Sequence, residues 1–192
     1  MSGKFTSRTR WREKLEKDQP AKLAKASGLM AKRLGPGNLL IPRPIDVDAV
    51  IRQVRKGKLV TVSQIRARLA SDFNALPAAS RRAAACYRIN DDSDDFKAAS
   101  ACPLCTGIFV RIAAEAAEED RGAGKKQITP YWRVVRDDGS LNEKFPGGPT
   151  AQAACLKQEG HKVEPGRGKK PPKVKDFKKR LTTLAIGVGR TD

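Results

Sequence analysis

Aromatic residues are scarce in this chain, with six Phe, two Trp and two Tyr in 192 residues. A core is therefore expected to rest on aliphatic side chains and to leave part of the length outside it. Histidine occurs once, as His161, which excludes a site built from two or more imidazoles. Apolar runs are short, and none approaches the roughly 18 to 20 residues that cross a bilayer. The first residues, MSGKFTSRTRWREKLEK, lack the apolar stretch of a secretory signal, and Glu13, Glu16 and Asp18 are at odds with an acid-poor transit peptide. A soluble, cytoplasmic chain is expected, with one packed domain and appendages. Structural disulfides are not expected for Cys86, Cys102, Cys105 and Cys155 in that setting.

Acidic residues are also in short supply: 39 Lys and Arg face 21 Asp and Glu, a formal net charge of +18. The excess is concentrated at two places. Residues 1–43 hold 11 basic against 3 acidic side chains, and residues 162–180 hold 9 against 2, while 44–161 is nearly balanced. Two basic arms flanking a balanced body are the electrostatic footprint of a polyanion-binding protein, DNA or RNA, through phosphate contacts and counterion release. Solvated basic tails are the plainer alternative. Neither arm shows the apolar face that a membrane surface would need.

Along the chain, residues 1–43 read as an arm, with a short helix around Trp11 and breaks at GPGN and PRP. In IDVDAVIRQVRKG, Val47, Val50, Ile51 and Val54 recur at helical spacing behind Asp46 as N-cap, and Gly57 stops the helix. Thr61 and Gln64 match a capping box ahead of a second helix whose buried stripe is Val62, Ile65 and Leu69. Residues 75–101, a short basic, Ala-rich piece followed by Asp91, Asp92, Asp94 and Asp95, read as an inserted mobile loop, with a partly helical segment as the alternative. A third helix is expected from Thr106, as cap, to Gly122, burying Ile108, Phe109, Ile112, Ala113 and Ala116. QITPYWRVVRDDGSLNEKF reads as a hairpin turning at Asp138-Gly139, followed by a helix over 150–160 and a basic tail over 162–192.

The fold class expected is α+β, mainly α. Two helices followed by a two-stranded ribbon suggest a winged helix-turn-helix domain over 44–161, with basic N- and C-terminal extensions.

Two blocks carry a family resemblance. GKLVTVSQI, from Gly57, is similar to the GKVTTYGDI-type segment of the alkylguanine-DNA alkyltransferase (methylated-DNA–protein-cysteine methyltransferase) family. PYWRVVRDDGSL, from Pro130, followed by PGG at 146–148 and a helix, resembles that family's PCHRVVRSDGSL, then GG, then a helix. The resemblance covers roughly residues 44–161. It implies a DNA-binding scaffold in which a Cys beside a His accepts an alkyl group, but here those positions are Tyr131 and Trp132. The family Tyr that turns the target nucleotide falls on Val62. The Arg that fills the vacated stack falls near Gly107 or Ile108, with Arg111 one turn on. A phenol with no adjacent base is a poor nucleophile, so no catalytic residue is expected. The chain resembles the alkyltransferase-like members that lack the acceptor Cys, bind damaged DNA and mark it for repair factors.

The nucleic-acid contacts expected on this basis are Thr61, Ser63, Gln64, Thr106, Arg111, Tyr131, Trp132, Arg133, Arg136, Lys169 and Lys170. Tyr131 and Trp132 either stack on an exposed base or fill the old pocket. The alternative partner is structured RNA or the ribosome, held by the same arms. CPLC at 102–105 reads as structural thiols, although a thiol at a helix N-terminus leaves open a relocated acceptor. A zinc site would need two more ligands from Cys86, Cys155 and His161 at irregular spacing. No metal or cofactor is expected.

Overall fold

The computed structural model describes residues 10–34, 37–89, 96–168 and 170–184. Within them the chain is a mixed α/β protein in which helix exceeds strand. In order, the elements are α1 (Trp11–Leu15), β1 (Ala21–Lys25), α2 (Gly28–Leu34), β2 (Asn38–Ile41), α3 (Pro44–Arg52), β3 (Val60–Thr61), α4 (Val62–Ala75) and α5 (Ala78–Ala83). There follow β4 (Tyr87–Ile89), β5 (Ala98–Ala101), α6 (Pro103–Gly122), a 3-10 turn at Tyr131–Arg133, β6 (Val134–Val135), α7 (Gly148–Gln158), β7 (Val163–Glu164), β8 (Lys173–Val174) and α8 (Phe177–Arg180). No helix among the described residues is long and apolar enough to cross a membrane.

Of residues 1–43, read from the sequence as an arm, the described stretches 10–34 and 37–43 are built into the fold. β1 pairs antiparallel with β2 and parallel with β4, giving a four-stranded sheet in the order β4-β1-β2-β5. Ala21 and Leu23 alternate inward along β1, and Leu40 joins them from β2. α1 packs on α6, with the Trp11 and Arg12 amides donating to the two oxygens of Glu119 at 2.8 Å each. That carboxylate supplies acceptors to a short helix whose first amides have none of their own. Leu15 is fully buried beneath α1.

The 75–101 segment is likewise no simple loop, because it supplies α5 and both edge strands of the sheet. The Asn74 side chain ties it down, donating to the Ala98 carbonyl and accepting from its amide at 2.8 Å. Arg81 is buried between the Phe73 and Phe96 rings. The acidic run Asp91–Asp95 lies outside the described residues.

The helical expectations hold in kind but shift in register. α3 begins at Pro44, so Asp46 is not its cap. Its carboxylate sits three residues in and accepts from the Arg43 amide and guanidinium. The Thr61–Gln64 capping box forms in both directions, at 3.0 and 3.2 Å. α6 starts three residues before Thr106, with Pro103 in its first turn and Cys102 as the N-cap. Of the expected inward residues, Ala113 and Ala116 are buried and Phe109 and Ile112 pack against the core, whereas Ile108 is 49% exposed. Thr106, Val110, Ala114 and Ala117 are buried as well.

The expected 133–145 hairpin does not form a ladder. After the 3-10 turn, β6 pairs in parallel with β3, Val60 opposite Val134 and Thr61 opposite Val135. Val134 enters the main core and Val135 a second cluster with Leu59, Leu141, Leu156, Val174 and Phe177. The segment 162–184, read as a tail, covers that second cluster. Val174 and Phe177 are buried, and Leu181 and Thr182 run beside β3 through Leu59 N–H to Arg180 O and Thr182 N–H to Leu59 O.

Truncating Leu15 tests whether the N-terminal region belongs to the cooperative unit. Leu15→Ala is expected to lower unfolding stability by about 2–4 kcal/mol, read from the midpoint of a urea titration. An appended arm would leave that midpoint unchanged.

Candidate nucleic-acid interface

The Pro130–Arg133 turn stands where the resemblance places the reactive centre. Tyr131 is only 2% exposed, with its ring edge-on to Trp132 at 5.5 Å and to Phe145 at 5.3 Å. Its hydroxyl donates to Glu118 Oε1 at 2.6 Å. Burial and that carboxylate push the phenol well above its ordinary pKa. Tyr131 therefore fills the pocket as a core residue and has no ring face to offer a base. This removes it from the nucleic-acid contacts expected.

Trp132 and Arg133 are also committed. The Trp132 indole N–H donates to Glu159 at 2.8 Å, and its ring lies between the Arg121 and Arg133 guanidinium groups at 5.6 and 5.7 Å. Arg133 bonds both oxygens of Glu159 and the Val54 carbonyl. Glu159 also accepts the Gly57 amide at 3.1 Å. Burial alone would raise this carboxyl's pKa, but the Arg133, Gly57 and Trp132 donors outweigh it and hold the group below its usual range. Glu159 is the central polar residue that the sequence reading missed. Its only signal was a lone acid beside the Gly160 stop.

The other expected contacts divide between scaffold and surface. Thr61 is buried as the cap of α4, and both ends of the Gln64 amide are used, the nitrogen donating to Thr182 O. Thr106 is fully buried, its hydroxyl without a partner, so it cannot reach a ligand on the surface. Ser63 is exposed, donating from its amide and hydroxyl to Asp137 at 3.1 and 2.7 Å. Arg136 and Arg111 are exposed with loose carboxylate partners, Glu143 at 3.2 Å and Glu115 at 3.5 Å. Lys170 is exposed, and Lys169 lies outside the described residues.

α4 and α6 start side by side. Arg66, in the second turn of α4, donates to the Ala101 carbonyl and Ser100 hydroxyl immediately before α6. Beyond that junction Leu104 and Ile108, 63% and 49% exposed, stand one turn apart on α6, with Gly107 between them and Arg111 beyond. They are the exposed large apolar side chains among the described residues.

The basic strap over 162–180 is the larger electrostatic feature. β7 and β8 form an antiparallel ribbon, Val163 opposite Val174. The 139–141 turn bonds to its outer strand through Val174 N–H to Gly139 O and Leu141 N–H to Pro172 O. Gly139 is required there. Its φ is +83°, and a Cβ would overlap the Phe177 ring. The eight described Lys and Arg of this segment are all exposed, against Glu164 and Asp176, and none makes an ion pair with a described residue. The apolar spacing of Val163, Val174, Phe177 and Leu181 was the signal that this stretch docks.

The thiols and the histidine are not arranged for group transfer. Cys102 is buried, and Cys105 is pushed up to about 11 by burial and by its hydrogen bond to the Cys102 thiol, so it stays protonated at neutral pH. His161 is buried, its Nε2 without a partner, and burial lowers its pKa. No group of three or more His, Cys, Asp or Glu able to hold a metal ion occurs among the described residues. No family model, curated protein or solved structure matches this chain.

Glu159 sets an acid-sensitive step. A depressed folded-state pKa contributes stability that is present above the ordinary carboxylate range and is lost as pH falls through the folded value. Glu159→Gln is expected to cost about 3 kcal/mol at pH 7 and to flatten the decline in stability below roughly pH 4.5. Urea midpoints between pH 7 and pH 3 check both.

Proposed function

We propose that this protein is a non-catalytic, double-stranded DNA-binding protein of the alkyltransferase-like type. The observation that carries the reading is the strap: an anchored ribbon and helix presenting eight exposed basic side chains that make no ion pair among the described residues. Cations held on a docked element meet phosphates without first being ordered, which lowers the entropic cost of binding.

In this reading α4 and α6 form the helix pair of a winged helix, and the β7–β8 ribbon takes the part expected of the 133–145 segment. The exposed start of α6, with Leu104, Ile108 and Arg111, faces a groove of the duplex. Ser63 and Arg136 lie at its margin, and Lys170 and its strap neighbours follow the backbone. The PYWRVV block supports DNA over RNA through the resemblance it carries. The buried Tyr131 phenol and the protonated Cys105 support binding without alkyl transfer. Recognition of alkylated DNA and hand-over to repair factors belong to the same proposal.

Fluorescence anisotropy with duplexes carrying and lacking alkylguanine, and with a structured RNA of equal length, tests it. Duplex binding with a steep salt dependence is expected. Absence of duplex binding at moderate salt, or a clear preference for the RNA, overturns the reading. Replacing Lys173, Lys175, Lys178 and Lys179 by Ala is expected to reduce the slope of log K against log[salt] by about 3–4. After incubation with alkylated oligonucleotide the intact mass is expected to be unchanged. A gain on any Cys peptide contradicts the non-catalytic assignment.

A further inference from the structure

We infer that the outward side of the β1–β4 pair is a second contact surface for a nucleic-acid backbone, centred on Lys22 and Arg88. The inference rests on the reading of the partner as nucleic acid, and joins Lys22 of the basic 1–43 stretch to Arg88, which no charge run of the sequence singles out.

Along β1, Ala21 and Leu23 point into the core, so Lys22 and Ala24 point out. The parallel pairing of β1 with β4 sets Ala21 opposite Tyr87, Lys22 opposite Arg88 and Leu23 opposite Ile89. Two cations thus stand side by side on adjacent strands, roughly 4.8 Å apart in backbone spacing. Like charges in that relation repel, and a sheet normally sets an acid opposite a base. Here the partner of Lys22 on its other side is Ile41. Lys22 and Arg88 are both exposed, and neither makes an ion pair among the described residues.

Ala24, the next outward residue of β1, is small and exposed, so it does not screen Lys22. Phosphates spaced along a backbone would relieve the Lys22–Arg88 repulsion and meet both charges at once. The surface is distinct from the strap. Its strands belong to a separate sheet and pack on the main core, whereas the strap covers the second cluster.

The test compares full-length wild type with Lys22→Gln/Arg88→Gln and with a control of equal charge loss, Lys126→Gln/Lys144→Gln, at two exposed lysines outside both surfaces. Each is titrated against an unmodified duplex at several salt concentrations, after thermal melts show that both variants are folded. The Lys22/Arg88 variant is expected to lower the slope of log K against log[salt] by about 2, and the control by less than half of that. An unchanged slope, or an equal fall in the control, overturns the inference while leaving the strap reading intact. Wild type that fails to bind any duplex overturns both. Loss of binding to poly-glutamate without loss of duplex binding marks the surface as a site for acidic polypeptide and overturns it as well.

Discussion

The Glu159 carboxylate, just past the last turn of α7, gathers donors from parts of the chain that are remote from each other. Gly57 brings the loop after α3, Trp132 and Arg133 bring the 3-10 turn, and Arg133 extends the link to the Val54 carbonyl. A negative charge near the C-terminal end of a helix is unfavourable in itself, and burial adds to that penalty. The group is held there because every neighbour supplies a proton to it. This fixes the 3-10 turn, and the turn in turn aims Val134 and Val135 in opposite directions into the two apolar clusters. Gln152 completes the arrangement from α7, donating to the Trp132 and Val134 carbonyls and accepting from the Asn142 amide. The β3–β6 pair is only two residues long, so these side chains hold its alignment.

With the turn fixed in this way, its chemistry is also decided. Tyr131 is locked against Phe145 and Glu118, Trp132 against Glu159, and the space around them serves packing. The frame is closely packed, and positive charge is presented around it on elements that are anchored by apolar side chains. A scaffold of this kind converts a diffuse excess of lysine into surfaces of definite shape, and shape is what separates a specific polyanion contact from a merely basic chain.

What could be read from the sequence was local. The Thr61–Gln64 box depends on side chains three residues apart, and the Val47, Val50 and Ile51 stripe on one helical face; both are found, while Val54, expected on the same face, is buried just past the end of α3. The pairings that are long in sequence could not be read. AKLAK over Ala21–Lys25 has too little apolar content to announce a strand, and it becomes one because β2 and β4 flank it. The start of α6 was misplaced because Thr106 is a better-looking cap than Cys102, although Pro103 is the usual mark of a first helical position. Its inward face was read correctly at Ala113 and Ala116 and wrongly at Ile108; α1, α3 and α4 all pack on this helix, which widens the buried arc beyond one stripe and blurs the period. The strap was hidden by its own lysines, which outnumber the four apolar residues that dock it.

The Trp11 amide finds its acceptor on Glu119, 108 residues later in the chain, and β1 cannot acquire β4 until residue 89 has been made. A ribosome adding about 5–20 residues per second therefore leaves the first segment waiting for several seconds, with Trp11, Leu15, Leu23 and Leu40 uncovered. During that interval the nascent chain is a basic, partly apolar polymer beside ribosomal RNA, before the elements that will bury it exist. The order of its strands thus leaves β1 and β2 without their edge partners until residues 87–101 have been added.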